Sequence, residues 1–340
     1  MPKQHNILVT GGLGFIGSHT VVELHEAGYT PIIIDNLSNS DISVLDGIEA
    51  ITNVRPIFCE GDFQDTALLQ QIIDEHPVAG VIHFAAFKAV NESISHPLDY
   101  YQNNVSGLVA LLQTLQDKVI YPFVFSSSCT VYGEPDTLPV TENAPLKQAT
   151  SPYGSSKQID EQVLQDTAKA HPFKVVALRY FNPIGAHPSA EIGELPKGVP
   201  ANLVPFVTQA AAGLRDKLVV NGNDYDTPDG TCIRDYIHVV DLAKAHIKAL
   251  EFSIDQAANS FEVINIGTGN GNSITEVLTT FKNVTGVAVP HEIGPRRDGD
   301  IVQTYADASK AKQLLDWEAT KSLADALADA WRWQQKLGQK

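Results

Sequence analysis

Apolar runs of strand length alternate with helix-period segments almost from the first residue: Ile7 to Thr10, then Phe15 to Ala27, then Pro31 to Asp35. That order is a βαβ unit. It repeats through Val54 to Cys59, Val81 to Phe84, Phe123 to Ser126 and Val175 to Leu178, each run separated from the next by room for a crossover helix. The pattern predicts an α/β fold on a doubly wound parallel sheet of Rossmann type. Beyond Arg179 the rhythm breaks: Asn182 to Asp235 is dense in Pro, Gly and Asn, with one clear helical segment from Leu203 to Ala212. A strand-helix pattern at Tyr236 to Leu250 and a strand run at Phe261 to Ile266 read as a return to the sheet. The expected organisation is a dinucleotide-binding domain over 1–181 with a returning segment at about 235–268. A second, smaller α/β substrate domain comes from 182–234 and 269–340.

Composition narrows the class. Of 340 residues, 43% are apolar and 19% charged, which is ordinary globular usage with ample core material. The 24 Lys and Arg against 40 Asp and Glu leave a net charge of −16, a field that disfavours nucleic acid and anionic membranes as partners. A small anion can still be held by a few placed arginines or a helix N-terminus at contact distance. Cys59, Cys129 and Cys232 are too few and too irregularly spaced for a disulfide framework or a zinc site. With no secretory leader pattern and no membrane-length apolar run, the expectation is a soluble cytoplasmic protein without a metal.

Between the first strand and first helix stands Gly11-Gly12-Leu13-Gly14-Phe15-Ile16-Gly17. Glycines at this spacing make a tight turn and let backbone amides approach a pyrophosphate at the helix N-terminus. Asp35 ends the second strand run, where a carboxylate accepts from both hydroxyls of an adenosine ribose and repels a 2′-phosphate, so NAD is favoured over NADP. The competing reading makes Asp35 a loop cap beside Asn36 and Ser38. Asp62 and Phe63, after the third strand run, suit an adenine, Asp62 by its carboxylate and Phe63 by its backbone.

Tyr153 and Lys157 are four apart at the start of a helical segment and project from one face. An ammonium and an oxidised nicotinamide near a tyrosine both favour its phenolate, which makes the pair a base for a hydroxyl proton. Phe123 to Ser128 ends a strand in hydroxyls at the carboxyl edge of the sheet, where Ser128 reaches the same substrate oxygen.

This ordered set resembles the extended short-chain dehydrogenase/reductase superfamily, and within it the UDP-galactose 4-epimerases. Beside the glycine turn, the matching stretches are His83 to Val90, Ser126 to Gly133, Ser151 to Lys157, Arg179 to Pro188, Gly230 to Asp241 and Arg296 to Asp300. The resemblance implies that Tyr153, Lys157 and Ser128 are catalytic. It implies an NAD site from Gly11, Gly14, Phe15, Ile16, Gly17, Asp35, Asn36, Leu37, Ser38, Asn39, Ser40, Asp62 and Phe63, continued by Phe84, Ala85, Ala86, Phe87, Lys88, Asn103, Ser128, Tyr153, Lys157 and Phe181. For a UDP-hexose it implies Lys88, Ser128, Tyr153, Asn182, Asn202, Leu203, Arg234, Arg297, Asp300 and Thr304. Planar guanidinium forks suit a diphosphate; the competing reading pairs Arg234 with Asp235 and Arg297 with Asp298.

The implied reaction interconverts UDP-galactose and UDP-glucose: Tyr153 takes the 4-hydroxyl proton as hydride passes to NAD, and the keto sugar turns to receive it on the other face. A 4,6-dehydratase would need an acid after the serine run, where Cys129, Thr130, Val131 and Tyr132 stand instead. A non-catalytic dinucleotide sensor would have no use for Tyr153 and Lys157. Thr304 falls where some bacterial members carry a bulky tyrosine, so acceptance of N-acetylated UDP-sugars is expected unless Tyr305 fills the space. Asn221 and Ala201 depart from common family choices and put the uracil contacts in doubt. A homodimer, typical of the family, is expected through helices near Tyr100 to Gln116 and Ser156 to His171.

Overall fold

The computed structural model describes residues 5–297 and 299–339. Seven strands form its main sheet: β1 (Asn6–Thr10), β2 (Thr30–Asp35), β3 (Ile57–Glu60), β4 (Val78–His83), β5 (Pro122–Ser128), β6 (Lys174–Tyr180) and β10 (Ser260–Ile266). Their order is β10-β6-β5-β4-β1-β2-β3 and every pairing is parallel. Parallel strands are covered on both faces, which is why they read as continuous apolar runs. Ile7, Val9 and Ile33 face one layer and Leu8, Ile32 and Ile34 the other, all at most 1% exposed.

The first layer is α1 (Phe15–Glu26), α2 (Val44–Thr52) and α9 (Val239–Asp255), through Val21, Leu24, Leu45, Ile48, Leu242 and Leu250. The second holds α3 (Thr66–Glu75), α6 (Gly107–Asp117) and α7 (Pro152–Ala170), through Leu69, Ile72, Leu108, Leu111, Leu115 and Leu164. Two short helices, α4 (Val90–Ser95) and α5 (Pro97–Tyr100), lead through a π-helical turn, Tyr101–Ser106, into α6. The strand order reverses between β1 and β4, and a crevice at such a reversal is where open α/β sheets receive ligands.

The third described layer gathers on smaller sheets. One comprises β7 (Asn182–Ile184), β9 (Ile233–His238), β11 (Gly271–Ser273) and β13 (Gln303–Thr304); another pairs β8 (Leu218–Asn221) with β12 (His291–Gly294). Around them pack α8 (Leu203–Ala211), α10 (Ile274–Thr285) and α12 (Leu323–Leu337), with Val207, Val277, Phe281 and Leu327 in their core, while α11 (Ser309–Leu315) packs back on α9 and β10 of the main sheet through Ala311 and Leu315. The returning segment is thus divided. Phe261 to Ile266 joins the main sheet and α9 packs on it, but the strand at Tyr236 does not, because β6 already has β5 on one side and β10 on the other. No helix among the described residues is long and apolar enough to cross a membrane.

Candidate active site

The glycine turn is fixed by its own backbone. Gly11 lies at φ +69, Gly11 N donates to Ile34 O at 2.9 Å, and Gly14 N to Gly11 O at 3.1 Å. A Cβ on Gly11 would stand 2.8 Å from Ala85 N, and one on Gly17 would run into the Gly11 carbonyl, so only glycine fits at either place. Gly14 caps α1 without a side-chain acceptor. The first amides of α1 are therefore left for an anion, and the helix dipole points the same way. Phe15 packs edge-on against His19 at 5.4 Å and Ile16 joins the core, which leaves their backbone rather than their side chains for the pyrophosphate contact expected of them.

Asp35 is 8% exposed and ties three pieces of this turn. Leu13 N donates to Oδ2 at 3.0 Å, while Leu37 N and the Ser40 hydroxyl donate to Oδ1 at 3.0 and 2.7 Å. It therefore caps its loop as well as facing the ligand crevice, and a carboxylate with about four acceptor sites keeps capacity for ribose hydroxyls. Asn36 Nδ2 donates to Asp62 at 3.1 Å, and Ser38 N to Asn36 Oδ1 at 3.0 Å; Asn39 is exposed. The Phe63 ring is buried edge-on against His83, so only its backbone is left for the adenine contact expected of it.

The far wall is the loop from Phe84 to Lys88. Ala85 N donates to Thr10 Oγ1 at 3.3 Å, the Phe84 ring packs at a tilt against His246 and that of Phe87 against Tyr100; Ala86 is half-buried and Lys88 exposed. Sequence reading missed what holds this loop. Buried Asn104 accepts from Phe87 N at 2.9 Å and donates to Phe87 O and Ser156 Oγ at 3.0 Å each, with Asn103 Nδ2 donating to it at 2.9 Å. The only local signal was its adjacency to Asn103. Both lie in the π-helical turn, a distortion frequent at functional sites.

Tyr153 enters on the first turn of α7, which Ser151 caps by accepting from Gly154 N at 3.1 Å, with Pro152 at the first helical position. Lys157 is buried, donates to Ser126 O at 3.0 Å and sits 4.5 Å over the Phe125 ring. Burial pushes the Tyr153 phenol up to about 12; a hydrogen bond with Ser128 pulls it back, and Cys129 and Asp160 push it further up. Tyr153 and Ser128 thus meet at the carboxyl end of β5, with Lys157 one turn further along α7 against Ser126 and Phe125. Phe181 is buried just past β6, bonded through its amide to Ile266 O at 3.2 Å.

Across the crevice, Asn182 Oδ1 is buried without a hydrogen-bond partner among the described residues, which leaves it free to accept from a ligand. Asn202 caps α8 at Leu203, and its amide donates at 2.7 Å to Glu194, which also receives Lys88 at 3.3 Å. Glu194 is a second residue the sequence did not single out. Asp300 stands 3.9 Å from Arg234 and hydrogen-bonds Arg297. Arg234 does not pair with Asp235, which instead accepts from Thr268, Gly269 and Ala306; Asp298 lies outside the described residues. Thr304, 7% exposed, pairs with Arg234 between β13 and β9, while Tyr305 turns to the opposite side against Gly271. Asn221 ends β8, and exposed Ala201 precedes Asn202.

A glycine turn at the sheet's reversal point, an acidic strand end and a Tyr-Lys pair beside a serine define an extended short-chain dehydrogenase/reductase. Comparison with known proteins narrows this. A sequence profile described as GDP-mannose 4,6 dehydratase matches residues 8–330. A UDP-glucose 4-epimerase of Dictyostelium discoideum is 48% identical over 334 residues, covering 98% of this chain and 96% of that one. The crystal structure of a UDP-glucose 4-epimerase from Stenotrophomonas maltophila, with bound NAD and formylated UDP-arabinopyranose, superimposes with TM-score 0.96 at 47% identity over 99% of both chains. That of the Bifidobacterium longum enzyme, with NAD+ and UDP, gives 0.94 at 45% over 97% and 98%. The chain belongs to the UDP-glucose 4-epimerase family.

Proposed function

We infer that the protein interconverts UDP-galactose and UDP-glucose by inverting C4 of the hexose, with NAD retained in the glycine-turn crevice. The observation that carries this reading is Tyr153 hydrogen-bonded with Ser128 at the carboxyl edge of the sheet, with buried Lys157 one turn further along α7 and tied to Ser126 O. Bound NAD supplies the reversible two-electron acceptor that such an inversion needs. Tyr153 Oη takes the proton of the 4-hydroxyl and later returns it, Ser128 holds the same oxygen, and Lys157 favours the phenolate by its charge. Arg234 and Arg297 carry the diphosphate, with Asp300 setting the two guanidinium groups in place. Because affinity rests on the nucleotide, the hexose is held loosely enough to present either face, with Asn182 and Asn202 accepting hydroxyls from both.

Elimination, the reaction in the matched profile's description, lacks its acid: burial pushes the Cys129 thiol up to about 12, and its neighbour is Thr130. Thr304 leaves room beside the sugar, which supports turnover of the N-acetylated UDP-hexoses as well. Exposed Val109 on α6 and Ile159 on α7 support a homodimer packed through those helices. Three unpaired cysteines suit a reducing compartment such as the cytoplasm. The test is to denature the purified protein and identify the released dinucleotide, then incubate the native protein with UDP-galactose. UDP-glucose is expected; a dehydrated keto sugar would make it a dehydratase, and an unaltered substrate a sensor.

A further inference from the structure

Behind the Tyr153–Lys157 stripe of α7 lie two buried carboxylates, and they differ in kind. Glu161 is fully engaged: Arg179 Nε donates to it at 2.9 Å and Ser127 Oγ at 2.5 Å. Asp160 is not. Its side chain is 1% exposed, its Oδ1 has no hydrogen-bond partner among the described residues, and its Oδ2 stops 4.0 Å from Lys157 Nζ, beyond hydrogen-bond reach. A buried carboxylate left half unbonded is destabilising where an apolar side chain would fill the same space. Among the described residues the cation acting on it is Lys157, the lysine assigned above to Tyr153.

We propose that Asp160 is a positioning residue for the reaction: acting through Lys157, it sets the net charge of the Tyr153–Lys157 pair and so the pH at which Tyr153 works as a base. The proposal rests on the assignment of Tyr153 and Lys157 made above. When Asp160 is ionised it holds the Lys157 proton in a site that otherwise disfavours an ammonium, and it partly cancels the lysine's field at the phenol. When Asp160 is protonated the field is undiminished, but Lys157 surrenders its proton more readily. The shifts run accordingly. Burial raises Asp160 to about 7, with Lys157 pulling it down and Glu161 pushing it up; burial lowers Lys157, opposed first by Asp160 and then by Glu161.

Other ionisable groups on the elements around α7 do not compete for this role. Arg179 on β6 is committed to Glu161, and His83 on β4 is bonded to Thr10 and lowered by burial to about 3, hence neutral. Cys129 and Tyr132, in the turn after β5, are both raised to about 12 by burial, and burial raises Tyr180 as well. Tyr100 on α5 donates to Glu92 of α4, Glu262 on β10 pairs with Lys310, and Tyr101 heads the π-helical turn.

The test compares the pH dependence of kcat for UDP-galactose in the NAD-loaded wild type, Asp160→Asn and Asp160→Leu, with unfolding midpoints measured alongside. Removing the negative charge lowers the proton affinity of both Tyr153 and Lys157. The acid and alkaline limbs should therefore both move to lower pH, the acid limb by about half a unit or more. The leucine variant should give the same displacement with an unfolding midpoint at or above wild type, and it carries the test if the asparagine variant fails to fold. Profiles that superimpose on wild type while rate or stability changes would reduce Asp160 to a packing residue and overturn the proposal. A wild type that turns over no UDP-sugar would overturn the functional reading itself.

Discussion

Tyr153 is placed where burial opposes its use. Burial raises the phenol to about 12, so on the proposed mechanism its use as a base at neutral pH calls for positive charge against it, from Lys157 one turn along α7 and from a bound nicotinamide. Replacing Tyr153 by Phe should lower epimerase turnover by roughly 10²- to 10⁴-fold while the unfolding midpoint stays near wild type; an unchanged rate would remove it as the base. Thr304 is the matching test on the substrate side. It is buried next to Arg234 while Tyr305 lies against Gly271, and on the proposed reading residue 304 borders the sugar's 2-substituent. Thr304→Tyr should cut kcat/KM for UDP-N-acetylgalactosamine by about 10-fold or more and leave UDP-galactose turnover nearly untouched. Equal losses on both sugars, measured side by side, would place residue 304 outside the sugar pocket.

At the scale of elements, the crevice depends on how loops are tied to helices. Asn104 joins the Phe87 backbone to Ser156 on α7, so one amide fixes both the cofactor loop and the helix carrying Tyr153. Asn104→Leu strands the Phe87 N–H and C=O, which should cost about 1–3 kcal/mol in a denaturant titration and loosen NAD retention on gel filtration. A variant as stable as wild type that keeps its dinucleotide would show that the clamp is dispensable. Such ties explain what the sequence disclosed and what it hid. β1, β2 and the turn between them were legible because glycine spacing and apolar runs are local signals. The strand at Tyr236 looks locally like that at Phe261, yet only the latter reached a free edge of the main sheet. Arg234 and Asp235, adjacent in sequence, face opposite sides of β9, and their partners Asp300, Thr268 and Ala306 come from the last third of the chain. Asn104, Glu194 and Asp160 were invisible for the same reason: their roles depend on long-range neighbours.

For the molecule as a whole, two properties follow from what is buried and what is left out. Val109 and Ile159 are 37% and 40% exposed on α6 and α7. If those helices meet a second copy, Val109→Arg with Ile159→Arg should convert a dimer to a monomer in sedimentation velocity; an unchanged mass would place the interface elsewhere. The second property is stability toward acid. Burial lowers His19 and His83 to about 3, and His238 and His246 to about 4, from 6.5. Their neutral forms stabilise the fold above pH 6.5, and that contribution drains away as pH falls from there toward 3 or 4. Glu23 and Asp160 run oppositely. Raised to about 7 from 4.5 and 3.8, they stabilise most in acid and lose that contribution as pH rises through 7. Burial also raises Asp235 and lowers His187, adding one group to each side. The histidines outnumber the carboxyls, so Tm should climb between pH 4.5 and 6.5 and level off near neutrality. Calorimetry across that range is the check. His246 offers the sharpest control: its Nε2 is buried with no hydrogen-bond partner among the described residues, so His246→Gln should flatten the climb by one proton's worth. A Tm that falls from pH 4.5 to 6.5 would mean the buried carboxyls dominate the molecule's proton balance instead.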